Sequence, residues 1–273
     1  MMVHVSTLQE QALWAGQHAL PFFVAALGLL LTMTGVGWWS MRRCNLSQDQ
    51  SSAWPAEFIA GRTTIGLGVI LTGVVVFMAL AGQFGGGATI READRIFTDA
   101  LRAGVSRPTM QVFAGLTRMA DTLTLTVLGI AVAILLVILR RPWLGLAWVI
   151  AVAGNAVINP ALKQVFARIR PLQPEGFVVE RSFSFPSGHS SGCVVAYGML
   201  AYLALRILPT RWQLPSLLVA VAAIVTIGAS RLFLQVHFAS DVLAGFASGS
   251  AWLATCITSI ELVRRYRSRL PTS

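Results

Sequence analysis

Long stretches without a charged residue constrain this chain more than any other feature. A bilayer-spanning helix needs about 20 mostly apolar residues. The 273-residue sequence contains seven stretches free of Lys, Arg, Asp and Glu that approach or exceed that length. They cover residues 19–41, 63–84, 122–139, 143–162, 190–205, 212–230 and 242–260. The sequence therefore predicts an all-α fold, a polytopic bundle of about seven transmembrane helices.

The composition agrees with a membrane protein. Hydrophobic residues make up 55% of the chain and charged residues 12%, which excludes an ordinary soluble domain of this length. The net charge is +10, but the basic residues are spread among the loops beside the spans, so we expect anionic phospholipids and no nucleic acid as partners. Cys44, Cys193 and Cys256 lack the spacing of a disulfide framework or a metal site.

The distribution of arginine predicts how the chain is oriented. Residues 1–18 contain no Lys or Arg, whereas the first span is followed at once by Arg42 and Arg43. By the positive-inside rule the N-terminus lies outside and the 42–62 loop lies in the cytoplasm. No basic segment precedes the first apolar run, so we expect no cleavable signal peptide.

A shorter amphipathic segment lies between the second and third spans. Its apolar residues share one helical face, and its polar residues lie roughly opposite: Ile90, Ala93, Phe97 and Leu101 against Arg91, Asp94, Arg95, Thr98 and Arg102. This pattern predicts a helix along the outer membrane interface, preceded by a break at Gly85–Gly87 and stopped by Gly104. A role in anchoring is favoured over a role in guiding a lipid headgroup.

The first of three polar clusters pairs Lys163 with Arg170 and Pro171. If the fourth spanning helix continues past Lys163, the spacing of seven returns Arg170 to nearly the same face, and Pro171 ends the helix. A lysine and an arginine that face one pocket suit a phosphate group. Alternatively, Lys163, Arg168 and Arg170 are interfacial side chains that reach toward the headgroups.

The second cluster, 181–191, contains Pro186-Ser187-Gly188-His189 at the start of an apolar helix. Ser187 as N-cap would leave the first N–H groups free to bind an anion, with His189 in the same turn. Alone, this tetrapeptide also fits any capped helix start. The 163–188 loop before it has the proline and glycine content of an ordered, turn-rich lid.

The third cluster contains Ser230-Arg231, His237 and Asp241. The spacing of four brings His237 and Asp241 into contact on one helix face. A carboxylate beside an imidazole fixes the tautomer that a histidine nucleophile needs, although a structural pair that caps the helix fits as well. Arg231 adds a third cation.

Two further sets of polar residues lie at or within the spans. Asp121, at the start of the third span, could orient a site residue, but a carboxylate at a helix end is more often solvated or paired with a neighbour such as Arg118, so it is left outside the site. Asn155, Asn159 and Pro160 are expected to face other helices or a wet cavity, because polar residues in a span seldom face lipid.

A metal site built from His189, His237 and Asp241 is disfavoured. No Glu or Cys completes a usual ligand set, and three nearby cations would repel a metal ion. We therefore expect no cofactor.

In order and spacing, the three clusters resemble the signature of the type 2 phosphatidic acid phosphatase superfamily, which consists mostly of membrane-bound lipid phosphatases. The resemblance covers about residues 121–260, and every motif position is present. Superfamily members commonly have six spans, so it implies that residues 1–62 add an N-terminal span and that 63–273 form the phosphatase domain. With six spans in all, the N-terminus would lie inside.

The motifs and this resemblance together imply a role for each residue. His237 is the nucleophile, Asp241 orients it, and His189 is the general acid and base. The phosphate would be bound by Lys163, Arg170, Arg231 and the backbone N–H groups of Ser187 and Gly188. Because two histidines need different protonation states, we expect a bell-shaped pH profile.

The substrate implied is a lipid phosphate or pyrophosphate that keeps its tail in the membrane, such as undecaprenyl pyrophosphate, phosphatidic acid or phosphatidylglycerol phosphate. The site would lie on the outer, periplasmic side of a bacterial inner membrane. Phosphate transfer to a second lipid would use the same residues. A transporter or scramblase that binds headgroups without chemistry is the alternative from another class. The sequence leaves the oligomeric state open.

Overall fold

The computed structural model describes residues 7–48, 56–83, 88–172 and 180–269, which form ten α-helices. They are α1 (Thr7–Gln17), α2 (Ala19–Gln48), α3 (Ala56–Gly82), α4 (Ala88–Gly104), α5 (Arg107–Thr117), α6 (Thr122–Ile138), α7 (Pro142–Phe166), α8 (Gly188–Ile207), α9 (Thr210–Phe233) and α10 (Ala239–Arg269).

Six of these helices are long and apolar enough to cross a membrane. Helices α5 and α6 make a seventh span if they are counted together, with a bend of 40° between them. The bend follows from a short 3-10 turn, Arg118–Ala120, and from the extended backbone of Asp121. The prediction of an all-α polytopic bundle of about seven spans is confirmed.

The spanning helices run past the charge-free stretches that predicted them. Helix α2 continues to Gln48 and α3 begins at Ala56, so most of the predicted 42–62 loop is helical. Charged side chains at a membrane edge can reach the headgroups, which lets a helix continue through them. The predicted break at Gly85–Gly87 lies outside the described residues.

Helix α4 ends at Gly104 as predicted, but its polar face is not uniformly exposed. Arg91 and Arg95 are exposed, whereas Asp94 and Thr98 are buried. The helix packs against α1 and also contacts α9 and α10, so it has protein on more than one side. The expectation of one apolar and one solvated face is therefore wrong for this pair of residues.

Close packing of α8 and α10 brings the second and third polar clusters together. A Cβ atom on Gly245 would lie 2.6 Å from the carbonyl oxygen of Ser187, and one on Gly249 would lie 2.9 Å from that of Ser191. Real Cβ atoms do not approach so closely, so glycine is required for this separation of the two helices. The N-terminus of α8 therefore sits directly against the first turns of α10.

Aromatic packing joins the N-terminal helices to α9. Phe113 of α5 stacks on Phe233 at 4.2 Å between ring centroids, and Phe23 of α2 packs edge-on against Phe113 at 5.5 Å. Helix α1 packs on α4. The division into 1–62 and 63–273 stays a prediction.

Candidate active site

The end of α7 places Lys163 and Arg170 differently from the predicted continuous helix. Helix α7 ends at Phe166, because Ala167 adopts a left-handed conformation with φ 43° and ψ 35°. The prediction that Arg170 follows Lys163 on one helix face is therefore wrong. Arg170 instead reaches the site from an extended segment.

Lys163 and Arg170 nevertheless donate hydrogen bonds to the same two residues of the loop before α8. The Nζ of Lys163 donates to the carbonyl of Phe183 and, at 3.4 Å, to the hydroxyl of Ser182. The Nη2 of Arg170 donates to the same two oxygens, at 3.2 and 3.0 Å. The two cations converge on the loop before α8, as the sequence predicts, by a different route.

Ser187 occupies the N-cap position of α8, where the sequence predicts it. Its hydroxyl accepts a hydrogen bond from the N–H of Ser190 at 3.3 Å, and its own N–H donates to the carbonyl of Asp241 at 3.0 Å. A Cβ atom on Gly188 would lie 3.0 Å from the side-chain oxygen of Asn159, so glycine lets α7 approach the start of α8. The capped turn is thus fixed to both neighbouring helices.

His237 lies in the turn between α9 and α10 and is almost completely buried. Its Nε2 lies 2.9 Å from Nη1 of Arg170. A guanidinium only donates hydrogen bonds, so Nε2 must accept, and the ring proton is assigned to Nδ1. Nδ1 faces Oδ2 of Asp241 at 3.4 Å, but it has no hydrogen-bond partner among the described residues. This tautomer leaves the Nε2 lone pair on the side of the cations.

The surroundings of His237 also set its protonation. Burial is the largest influence and lowers the pKa of His237 well below its usual value. The positive charges of Arg170, Arg231 and Lys163 lower the pKa further, and Glu180 opposes them. The imidazole is therefore neutral at pH 7 and available as a nucleophile.

Asp241 is fully buried in the first turn of α10 and is held by several donors. Its Oδ1 accepts from Nη1 of Arg168 at 2.6 Å. Its Oδ2 accepts from the N–H of Phe238 at 2.9 Å and from the hydroxyl of Ser184. These bonds stabilise the ionised carboxylate and fix its position beside His237.

Arg231, at the end of α9, is fully buried. Its Nη1 donates to the hydroxyl of Thr117 at 2.8 Å, and its Nη2 donates to Glu180 at 2.5 Å. Its Nε has no hydrogen-bond partner among the described residues. A buried guanidinium with a free donor is costly unless an anion binds it.

His189, in the first turn of α8, contacts a residue that sequence reasoning left outside the site. Its Nε2 lies 3.0 Å from Oδ1 of Asp121, the residue before α6. Its Nδ1 faces Oε1 of Glu180 at 4.0 Å. Asp121 therefore contacts a site residue, as the alternative that was set aside in the sequence analysis expects.

Glu180 places a carboxylate among the predicted phosphate ligands. Besides Arg231, it lies 3.8 Å from Nη2 of Arg170. Burial alone would raise the pKa of Glu180, but Arg231, Arg170 and the two site histidines lower it below its usual value. The group is thus an ionised anion bound by the cations that the sequence assigns to phosphate.

An open cavity of about 580 Å³ lies beside these residues. Its polar end is lined by Lys163, Arg170, Glu180, Gly188, His189 and His237. Its other walls come from α6, α7 and α8, including Leu125, Val152, Asn155 and Asn159. The prediction that the asparagines face a cavity or other helices is confirmed, since the amide of Asn159 also donates to Ser191 at 3.1 Å.

Sequence reasoning missed several residues of the site for identifiable reasons. Glu180 immediately precedes the second cluster, but one acidic residue in a loop carries no signal of its own. Arg168 was interpreted only as a headgroup-reaching side chain, and Asp94 only as part of a polar face. Their partners are distant in sequence, so spacing could not find them.

The part of the chain that the structure describes contains no group of three His, Cys, Asp or Glu side chains arranged to hold a metal ion. The expectation of a cofactor-free site stays a prediction.

These features define a class: a helical integral-membrane protein with a buried, cationic, histidine-containing site for an anion. The model of the PAP2 superfamily matches residues 142–265. Phosphatidylglycerophosphatase B of Bacillus subtilis strain 168 is 30% identical over 162 residues, 58% of this chain and 79% of that protein. The chain belongs to the PAP2 superfamily, which confirms the resemblance seen in the three clusters.

Two further comparisons agree. An undecaprenyl-diphosphatase of Sulfolobus acidocaldarius is 28% identical over 134 residues, 47% of this chain and 61% of that protein. The crystal structure of a transmembrane PAP2-type phosphatidylglycerolphosphate phosphatase from Bacillus subtilis matches with a TM-score of 0.67 and 28% identity. That match covers 72% of this chain and 98% of the other.

Proposed function

We propose that this protein is an integral-membrane lipid phosphatase that works through a phosphohistidine at the outer face of a bacterial inner membrane. Membership of the PAP2 superfamily supports the lipid phosphatase activity, because the relatives named above act on lipid phosphates or diphosphates. The observation that carries the mechanism is the position of His237, whose Nε2 accepts from Arg170 at the cation-lined end of the cavity.

In the proposed reaction, the phosphate takes the place of Glu180 at Arg170 and Arg231. Lys163, the unpartnered Nε of Arg231 and the N–H group of Gly188 complete the binding site. The N–H of Ser187, which the sequence assigns to phosphate, donates instead to the carbonyl of Asp241. A phosphate that takes over the hydrogen bonds of Arg170 brings its phosphorus to Nε2 of His237. The cations stabilise the charge that builds up on the phosphoryl oxygens.

The chemistry then follows in two steps. Nε2 of His237 forms a bond to phosphorus while the bond to the leaving oxygen breaks, and that oxygen takes a proton from His189. His189 next accepts a proton from a water molecule that attacks the phosphohistidine, which releases inorganic phosphate and restores the imidazole. Asp241, whose Oδ2 lies 3.4 Å from Nδ1 of His237, stabilises the charged ring through its negative charge.

The shape of the cavity supports a lipid as substrate. Its polar end holds the phosphate ligands, and its walls continue between the apolar helices α6, α7 and α8. A headgroup can occupy the polar end while the tail stays at membrane depth. Undecaprenyl pyrophosphate, phosphatidic acid and phosphatidylglycerol phosphate all fit this description. Transfer of the phosphoryl group to a second lipid would use the same intermediate.

The test is release of inorganic phosphate by the detergent-purified protein, with a chelator present, from a panel of lipid phosphates and pyrophosphates. Wild type is expected to release phosphate, and His237→Ala is expected to lose activity by roughly a thousandfold or more. His18→Ala, which changes an exposed histidine, serves as the matched control. Equal release by wild type and His237→Ala would contradict the phosphohistidine. Failure to release phosphate from any lipid would favour transfer or transport.

A further inference from the structure

Helix α4 contributes a buried carboxylate that lies outside the residues matched by the superfamily model. Asp94 is 5% exposed, whereas Asp99, on the same helix, has a side chain that is 71% exposed. A buried charge is unfavourable unless it is paired and hydrogen-bonded. The hydrogen-bond partners of Asp94 therefore indicate its role in the structure.

Asp94 accepts hydrogen bonds from two residues near His237, namely Arg168 and Ser240. Its Oδ2 accepts from Nη2 of Arg168 at 2.9 Å and from the hydroxyl of Ser240 at 2.5 Å. Its Oδ1 accepts from the N–H of Ser240 at 3.1 Å. That N–H is one of the first of α10 and has no acceptor within its own helix, so Asp94 caps α10 from outside.

Arg168 continues the connection to the carboxylate beside His237. Its Nη1 donates to Oδ1 of Asp241 at 2.6 Å and to the hydroxyl of Ser240 at 2.7 Å. Its guanidinium carbon lies 4.2 Å from the ring centroid of Phe238. A planar guanidinium presents separate N–H donors to the two carboxylates in a fixed geometry, which the point charge of a lysine does not reproduce.

The charges in this chain favour the reacting histidine. Asp94, Arg168 and Asp241 together carry one net negative charge, next to the imidazole that becomes positive on phosphorylation. Without Asp94, Arg168 would neutralise Asp241, and the first turn of α10 would lose its external cap. Neutralisation would weaken the attraction between Asp241 and His237. Loss of the cap would loosen the turn that fixes the distance between them.

We infer that Asp94 is a positioning residue for the nucleophile, acting through Arg168 and Ser240 on Asp241. This inference rests on the proposed function, since it assumes that His237 reacts. It assigns to a helix outside the matched superfamily region a part in holding the catalytic turn.

The experiment compares Asp94→Asn with Asp99→Asn, the same substitution at an exposed position of the same helix. Asp94→Asn is expected to lower kcat about ten- to a hundredfold, because a hydrogen bond to a charged group is lost. KM is expected to stay within about twofold, because the phosphate ligands are unchanged. Asp99→Asn is expected to leave both constants unchanged.

A double-mutant cycle separates positioning from general stabilisation. If Asp94 acts through Asp241, then Asp94→Asn in an Asp241→Asn background changes kcat by less than about twofold. An equal loss in both backgrounds, or a kcat like that of Asp99→Asn, would overturn the inference. If Asp94→Asn does not fold, Arg168→Lys, which keeps the charge, replaces it in the cycle. It is expected to lower kcat by the same factor in the wild-type background and not in the Asp241→Asn background. Retained activity in His237→Ala would instead refute the proposed function.

Discussion

As the proposed nucleophile, His237 has to meet two opposing requirements. A nucleophile must be unprotonated to attack, yet it becomes positively charged as the bond to phosphorus forms. Burial and the cations around it keep the resting imidazole neutral. Asp241, held by Arg168 and Ser184, then offers the negative charge that the reacting ring requires. The two functions are thus divided between different neighbours of the same ring.

This division predicts the acid side of the pH profile. His237 must be neutral to react, so activity is present above its pKa and is lost as the pH falls through it. Because that pKa is lowered, the acid limb of kcat/KM is expected well below pH 6.5, the ordinary value for histidine. The measurement is kcat/KM against pH for the fastest lipid of the panel.

Removal of one cation tests whether the neighbouring positive charges lower the pKa of His237. Arg170→Gln takes away a charge that lowers the pKa of His237, so the acid limb should move to higher pH even though the rate falls. Arg95→Gln, which removes an exposed arginine of α4, should leave the limb in place. A limb that stays fixed in Arg170→Gln would contradict this electrostatic account.

At the scale of helices, the site depends on how closely α8 and α10 approach. Ser187 caps one helix, Asp241 lies in the first turn of the other, and the N–H of Ser187 donates to the carbonyl of Asp241. Gly245 permits this contact because it has no Cβ to strike the Ser187 carbonyl. The distance between the capped turn of α8 and the first turn of α10, and with it the geometry of the proposed site, is therefore set by helix packing.

Gly245→Ala is expected to lower kcat by about tenfold or more, because a Cβ atom 2.6 Å from the Ser187 carbonyl forces the two helices apart. The matched control is Gly68→Ala in α3, where nothing lies within 4 Å of the added atom. It should retain full activity and equal or greater thermal stability, since alanine favours a helix over glycine. Equal activity of both variants would show that the packing does not control the site.

The spans and the site differ in how far sequence could predict them. Spans depend on local composition, so all seven charge-free stretches became helices. Helices α1 and α5 were missed because they are short and carry polar or charged residues, and Arg170 was misplaced because nothing in the sequence shows that Ala167 adopts a left-handed conformation.

Within the site, His237 and Asp241 were paired from their spacing of four, and they do lie close together. The predicted shared helix face is wrong, because His237 lies in the turn before α10, which begins at Ala239. The contacts of Asp94 and Glu180 join segments distant in the chain. Only the packing of α4 and of the loop before α8 brings such residues together, so no local pattern could predict them.

For the whole molecule, the number of spans decides on which side each terminus lies. If α5 and α6 form one bent span, the seven spans put the termini on opposite sides, and the arginine distribution predicts that the N-terminus lies outside. With that orientation, we expect all three polar clusters to face outward.

Fusions to each terminus test this topology. Green fluorescent protein, which fluoresces in the cytoplasm, should be bright at the C-terminus and dark at the N-terminus, and alkaline phosphatase should give the reverse pattern. Bright fluorescence at both termini would indicate six spans, and the reverse of the expected pattern would place the site on the cytoplasmic face.

The cavity extends from the cations along the apolar residues of α6 and α7. A substrate that enters there comes from the membrane, so the supply of lipid can limit the turnover rate. A lipid that enters at membrane depth arrives by diffusion in two dimensions, and its concentration is its mole fraction in one leaflet. Dilution of the leaflet with inert lipid then slows turnover even when the total amount of substrate is constant. In a cell, the turnover of such a protein follows the composition of the leaflet that it faces.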